Sequence, residues 1–176
     1  MKRSEFEHVI RAAAAIVGVD RLVVIGSQAV HGQFPDPPSD LLLSMEADIV
    51  SPENLGHADL IDGAIGELSP FHETFGYYGH GVRESVAVLP KGWRERLIPF
   101  RTRNTGNATA LCLEVHDLAV SKLVAGREKD IAFVRLLLQH GMADFAILRQ
   151  RVAETELAGA VRSEADARLS RLVPVV

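Results

Sequence analysis

Residues 22–50 read LVVIGSQAVHGQFPDPPSDLLLSMEADIV. The stretch opens on Leu22-Val23-Val24-Ile25, an apolar, β-branched run of the kind that favours a strand. Gly26-Ser27 stops it, and Gln28-Ala29-Val30-His31 then reads as the first turn of a helix. Pro35-Asp36-Pro37-Pro38-Ser39-Asp40 excludes regular structure and reads as an exposed loop. A second apolar segment follows, carrying Glu46 and Asp48 before Ile49-Val50. In a strand, residues i and i+2 share a face, so the two carboxylates project together. Side by side they repel and resist desolvation unless a cation lies between them. Hard divalent cations such as Mg²⁺ take such ligands, often with phosphate oxygens completing the shell. A helix start after Gly26-Ser27 would offer backbone N–H groups to an anion, with the Gln28 amide beside them. Two structural readings stand against this one. Gly-Ser is a common strand-to-helix turn, and charged residues often blunt an edge strand.

Upstream, Phe6, Val9, Ile10, Ala13, Ala14 and Val17 recur at helical spacing. Ser4 and Glu7 form a capping-box pattern and Gly18 closes the helix, with His8 on its solvated side. Downstream, Ser51-Pro52-Glu53 is a helix-start signature, and the helix is expected to run to about Leu68. FHETFGYYGHG, residues 71–81, suggests no clear element, and His72, Glu73 and His80 fit no ligand spacing. Glu84 to Leu89 reads as a third strand stopped by Pro90. Arg94, Arg96, Arg101 and Arg103 cluster around Ile98-Pro99-Phe100, suited to phosphates or to balancing surface acids. Ala110 to Leu113 reads as a last strand with Cys112 packed inside it. Asp117 is placed to cap a helix holding Leu118, Ala119, Leu123 and Val124, and the pattern resumes from Ile131 to Gly141. From Ala143 to Val173 the chain reads as helical, broken near Thr155, with Arg149, Arg151, Arg162, Arg168 and Arg171 on the polar side.

The 176 residues fit one domain, or a small α/β domain with a helical appendage. A formal net charge of -4 argues against a broad nucleic-acid surface. The single cysteine excludes an intramolecular disulfide and fits a reducing cytoplasm. Glu5 and Glu7 follow the opening Lys2-Arg3 where a signal peptide would be apolar, and no apolar run nears the roughly twenty residues of a membrane helix.

A strand ending in Gly-Ser, a short helix, then a strand bearing acid-x-acid resembles the nucleotidyltransferase superfamily of DNA polymerase β type. More narrowly, the chain is similar to small bacterial nucleotidyltransferase-like proteins related to AbiEii toxins. The resemblance implies that Gly26 and Ser27 hold nucleotide phosphates and that Glu46 and Asp48 hold Mg²⁺. The first acid of the pair is usually Asp, where this chain has Glu46. A third acid on a following strand is implied as well, and Glu84 occupies that place by position. The second segment carrying the resemblance is HDLAVSKLVAGREKD, residues 116–130. There Lys122, Arg127, Lys129 and Asp130 match a helix lysine followed by Gly-Arg-x-Lys-Asp. The resemblance implies that Lys122 faces a triphosphate, with Asp130 positioning it. Arg127 would add charge against the departing pyrophosphate.

The expected architecture is therefore α/β: a nucleotidyltransferase-like mixed sheet flanked by helices over residues 1–141. A C-terminal helical extension over 142–176 would pack on that core or form a homodimer interface. The implied activity is Mg²⁺-dependent transfer of a nucleotidyl group from an NTP to an RNA, protein or small-molecule acceptor. A toxin with a cognate antitoxin would share that chemistry. The rival is a non-catalytic relative that binds a nucleotide or a partner protein.

Overall fold

A computed structural model describes residues 1–51, 54 and 56–172. The chain divides into two compact units, Met1–Val86 with Leu97–Leu113, and Ala87–Arg96 with Glu114–Val176. All the strands described belong to the first unit, and the helices after Glu114 belong to the second.

Among the described residues, five strands form one mixed sheet: β1 (Arg21–Val24), β2 (Glu46–Val50), β3 (Tyr78–Gly81), β4 (Ile98–Phe100) and β5 (Thr109–Cys112). Their order is β3-β2-β1-β5-β4. β1 runs antiparallel to β2 and parallel to β5; β2 and β3 are parallel, and β4 and β5 antiparallel. The expected α/β class with a small mixed sheet is the architecture found. The two acids of β2 therefore stand on an interior strand, and blunting of a sheet edge does not account for them.

The period-2 alternation of these strands gives the sheet two unlike faces. Leu22, Val24, Ala47, Ile49, Ala110 and Cys112 lie on one face and are fully buried. Helices α1 (Arg3–Val17) and α2 (His57–Ile65) cover the β3 end of that face. Their approach to β3 is close. A Cβ at Gly79 would meet Ile65 Cδ1 at 2.8 Å and Val9 Cγ1 at 3.1 Å, and one at Gly81 would run into the Ala58 carbonyl. Glycine at alternate positions of β3 is what lets the helices settle there. Glu46, Asp48, Tyr78 and His80 point to the opposite face. Burial pushes the Cys112 thiol up to about 12, so it packs as a small apolar group.

Several local expectations are corrected by the packing. α1 begins one residue before Ser4: the Glu5 carboxylate accepts the Lys2 N–H at 2.7 Å, while Glu7 is buried and accepts from Asn104 Nδ2. Gly18 closes α1 in the left-handed region at φ 70°, as its position predicts. His8 is half-buried and not simply solvated. Its ring packs against Phe71, Phe75 and Tyr77, and its Nδ1 lies 2.9 Å from the Tyr77 hydroxyl. His31 is buried and stacked on Phe6.

α2 ends at Ile65, not near Leu68, because Ser69-Pro70 starts a new helix. Ser69 accepts the His72 N–H, and Pro70 takes the first position of α3 (Pro70–Phe75). The expected helix-start residues Pro52 and Glu53, with Leu55, lie outside the described residues; Ser51 Oγ is 2.7 Å from His57 Nδ1. The strand expected over Glu84–Leu89 is absent. Glu84–Val86 forms a 3-10 turn, and Val86 is 66% exposed, so the segment has no apolar face to bury.

In the second unit, α4 (Val115–Ala125), α5 (Glu128–Gln139), α6 (Phe145–Glu154) and α7 (Gly159–Ser170) follow one another. The break near Thr155 is present: Thr155 is extended, with its hydroxyl on the Arg151 carbonyl at 2.7 Å. No helix among the described residues is long and apolar enough to cross a membrane.

Candidate functional site

The site begins where β1 stops. Ile25 donates to the Asp48 carbonyl at 3.1 Å, carrying the β1–β2 pairing one residue beyond the strand. Gly26 is thereby laid alongside Asp48, so close that a Cβ would run into the Asp48 carboxylate. Glycine is needed here for space, since its backbone (φ -93°, ψ -168°) is open to any residue. Ser27 then starts a 3-10 helix, Ser27–Gly32, where the sequence suggests an α-helical turn.

On the other side of β2, the parallel register sets Glu46 beside Tyr78 and Asp48 beside His80. Facing residues of adjacent strands project the same way, so these four side chains form one patch. Tyr78 donates its hydroxyl to Glu46 Oε2 at 3.0 Å, and His80 Nδ1 lies 3.1 Å from Asp48 Oδ1. Burial, then the neighbouring Glu46 carboxylate, raises the Tyr78 phenol above its ordinary value, so it remains a donor. A cavity of about 210 Å³ opens here, lined by Glu46, Asp62, Glu67, Tyr78 and His80. It is small beside ordinary ligand pockets of roughly 300–1,000 Å³, and every lining side chain is ionisable.

Among the described residues, Glu46, Asp48 and His80 are the group of three whose ligand atoms lie mutually within 4.8 Å. An octahedral shell with bonds of about 2.1 Å sets neighbouring ligand atoms roughly 3 Å apart. A small inward movement of the three side chains reaches that spacing. Two carboxylates and an imidazole thus fit a divalent cation.

The other expected site residues fall elsewhere. Glu84 opens the 3-10 turn after β3 and is not in this group, whose third member is His80 on β3 itself. Gln28 is fully buried and its amide donates to the Ser44 carbonyl at 3.0 Å, so that amide braces the lead into β2. Of the expected arginine cluster, Arg94 lies over the Trp93 ring, while Arg96 forks both Asp117 oxygens at 2.8 and 3.0 Å.

The helical unit holds the second motif. Glu114, not Asp117, caps α4, accepting the N–H groups of His116 at 3.0 Å and Asp117 at 3.4 Å. Asp117 is fully buried between Arg96 and Arg151. His116 Nε2 accepts the Asp144 N–H, so its Nδ1 carries the proton and donates to Glu114. Gly126 ends α4 at φ 67°, and a Cβ there would run into the Arg168 guanidinium, which donates to the Leu123 and Val124 carbonyls. Arg162 likewise donates to Val152 and Thr155 carbonyls. Arg151, Arg162 and Arg168 therefore work inside the unit and not on an outer polar face.

Asp130 is buried and draws two of the motif's cations to itself: Lys122 Nζ at 3.2 Å, Arg127 Nε at 2.6 Å. Burial pushes the Asp130 carboxyl up, but the Arg127 hydrogen bond and the Lys122 charge outweigh it, leaving its pKa below the ordinary value. A depressed carboxyl adds stability that is whole above the unfolded value, about 3.9, and disappears as pH falls through the folded one. Urea midpoints across pH 3–6 are expected to fall more steeply on the acid side for the wild type than for Asp130→Asn. Parallel curves would mean that Asp130 has no part in acid stability.

The fold is thus a mixed sheet of the α/β class with a Gly-Ser turn beside an acid pair. The chain belongs to the family described as "Nucleotidyltransferase of unknown function (DUF6036)", which it matches over residues 5–173. No curated protein and no solved structure matches it.

Proposed function

We propose that this protein is a divalent-cation-dependent nucleotidyltransferase that moves a nucleotidyl group from an NTP to an acceptor hydroxyl. The observation that carries this reading is the placing of Asp48 on an interior strand, against Gly26 and level with His80. In the reaction an acceptor oxygen attacks the α-phosphorus, the bond to the β-phosphate oxygen breaks, pyrophosphate leaves, and the acceptor proton passes to solvent or a carboxylate. Glu46 and Asp48 hold the cation, Mg²⁺ on the superfamily pattern. That cation supplies a template for the reacting oxygens and charge compensation for the phosphates. Gly26, having no Cβ, leaves room for the Asp48 carboxylate against the turn, and Ser27 offers its hydroxyl and N–H to a phosphate. Tyr78 fixes the Glu46 carboxylate through one oxygen. Lys122 and Arg127 serve as phosphate-binding cations of the helical unit, with Asp130 ordering them.

The acceptor is an RNA end, a protein side chain or a small molecule. Kinship with AbiEii-type toxins, and with it a cognate antitoxin, rests on the Gly26–Asp48 motif and the segment from His116 to Asp130; a cytoplasmic site of action is the reading that the single cysteine supports. A second reading, nucleotide or partner binding without transfer, is favoured by one observation: Lys122 and Arg127 already bond Asp130.

Incubation with each α-³²P NTP, divalent cation and total cellular RNA and protein tests the proposal. Label is expected on one acceptor class with the wild type and none with Asp48→Ala. No transfer, together with NTP stabilisation of the fold that ignores the cation, would establish the binding reading instead.

A further inference from the structure

The donor set at β2 and β3 differs from an all-carboxylate site, and the difference has a consequence. Resting on the proposed function, we propose that His80 is the third protein ligand of the site. We further infer that it turns the site's preference from Mg²⁺ to a first-row transition cation of the Mn²⁺ class.

The position of His80 is set by the backbone. The β2–β3 register pairs it with Asp48, and glycines on both sides of it, Gly79 and Gly81, send the strand's other face under the helices. The imidazole is left on the acid face, 44% exposed, with room to turn its Nδ1 inward. That atom now faces Asp48 Oδ1 at 3.1 Å. Ligation through Nδ1 takes the ring with its proton on Nε2.

The other carboxylates lining the cavity are placed differently. Asp62 Oδ1 accepts the Gly81 N–H at 3.0 Å, which braces the end of β3. Neither Asp62 nor Glu67 joins the group whose ligand atoms lie within 4.8 Å. The Tyr78 hydroxyl holds Glu46 Oε2 and so orients the first ligand from outside the shell.

Mg²⁺ favours a complete oxygen shell and keeps its waters, so an imidazole nitrogen in that shell is a poor exchange for it. Mn²⁺ accepts carboxylate oxygen, and imidazole affinity rises along the first row from Mn²⁺ onward. One nitrogen beside two carboxylates therefore discriminates against Mg²⁺ while still suiting phosphate oxygens.

The test uses the full chain loaded with Mn²⁺ alone, read by electron spin-echo envelope modulation, with Mn²⁺ and Mg²⁺ affinities from calorimetry. The wild type is expected to show ¹⁴N coupling from a directly bound imidazole and to bind Mn²⁺ more tightly than Mg²⁺. In His80→Asp the coupling disappears, and the Mg²⁺-to-Mn²⁺ Kd ratio falls about tenfold or more. His80→Gln, which adds no charge, loses the coupling as well and controls for misfolding in the first variant. Mn²⁺ bound in an Asp48-dependent way without ¹⁴N coupling would overturn the role of His80 and leave the proposed function standing. Equal affinity for the two ions in the wild type would overturn the inferred preference. Binding of neither ion would remove the cation from both proposals.

Discussion

Asp117→Ala is expected to destabilise the protein by about 3 kcal/mol, at the low end for breaking a buried ion pair. Asp117 has no exposure, and its two oxygens hold Arg96 Nη2 and Nε at 3.0 and 2.8 Å, with Arg151 Nε at 3.4 Å. Burial pushes the Asp117 carboxyl up against the pull of Arg96 and Arg151. The net attraction in the trio is thus modest. The damage comes from what alanine leaves behind, two guanidinium groups with their shared counter-charge gone. Each arginine keeps about a fifth of its side chain in water, Arg96 at 23% and Arg151 at 21%, which places the cost at the low end. Asp117→Asn keeps the shape and part of the hydrogen bonding, so it should cost less. Urea unfolding followed by circular dichroism measures both. A loss below about 1 kcal/mol for alanine would show that the arginines relax into solvent instead.

The same residue shows where sequence reading stops. A short acid near the start of a helix reads as its cap, and Asp117 fits that pattern. Its actual partners, Arg96 and Arg151, are distant in sequence, and no local spacing announces them. The cap falls to Glu114, a residue type with little capping preference. By contrast β1, the Gly-Ser turn, the acid pair of β2, the glycine end of α1 and the break at Thr155 all rest on contiguous signals, and each stands where it was expected. His80 is the instructive failure. It meets Asp48 only because β3 pairs parallel with β2, a choice made by tertiary packing. A trace was present in Tyr78-Gly79-His80-Gly81, where large polar residues alternate with glycine. That is a strand whose one face must admit close-packed helices and whose other face sets Tyr78 and His80 beside the two acids of β2. Reading Glu84–Leu89 as the strand instead drew on its valines, which lie exposed.

Gly26→Ala is expected to remove cation binding and nucleotidyl transfer by about 100-fold or more while leaving the chain folded. The backbone at Gly26 is extended and suits alanine, so no conformational strain enters. The new methyl instead meets the Asp48 side chain, with Cγ at 2.8 Å and Cβ at 3.0 Å. Rotating the carboxylate away relieves the Cγ contact but not the one to Cβ, so β2 shifts slightly and a stability loss of about 1–2 kcal/mol accompanies it. The displaced carboxylate no longer faces Glu46 and His80. Mn²⁺ titration calorimetry, α-³²P transfer and thermal unfolding on the same preparation separate these effects. Asp48→Asn supplies the comparison: it removes the charge without moving the strand, and should match the functional loss with a smaller change in stability. Should Gly26→Ala bind Mn²⁺ as the wild type does, Asp48 would have to work from a rotamer pointing away from β1. The Gly-Ser turn would then be a connection between elements and no part of the site.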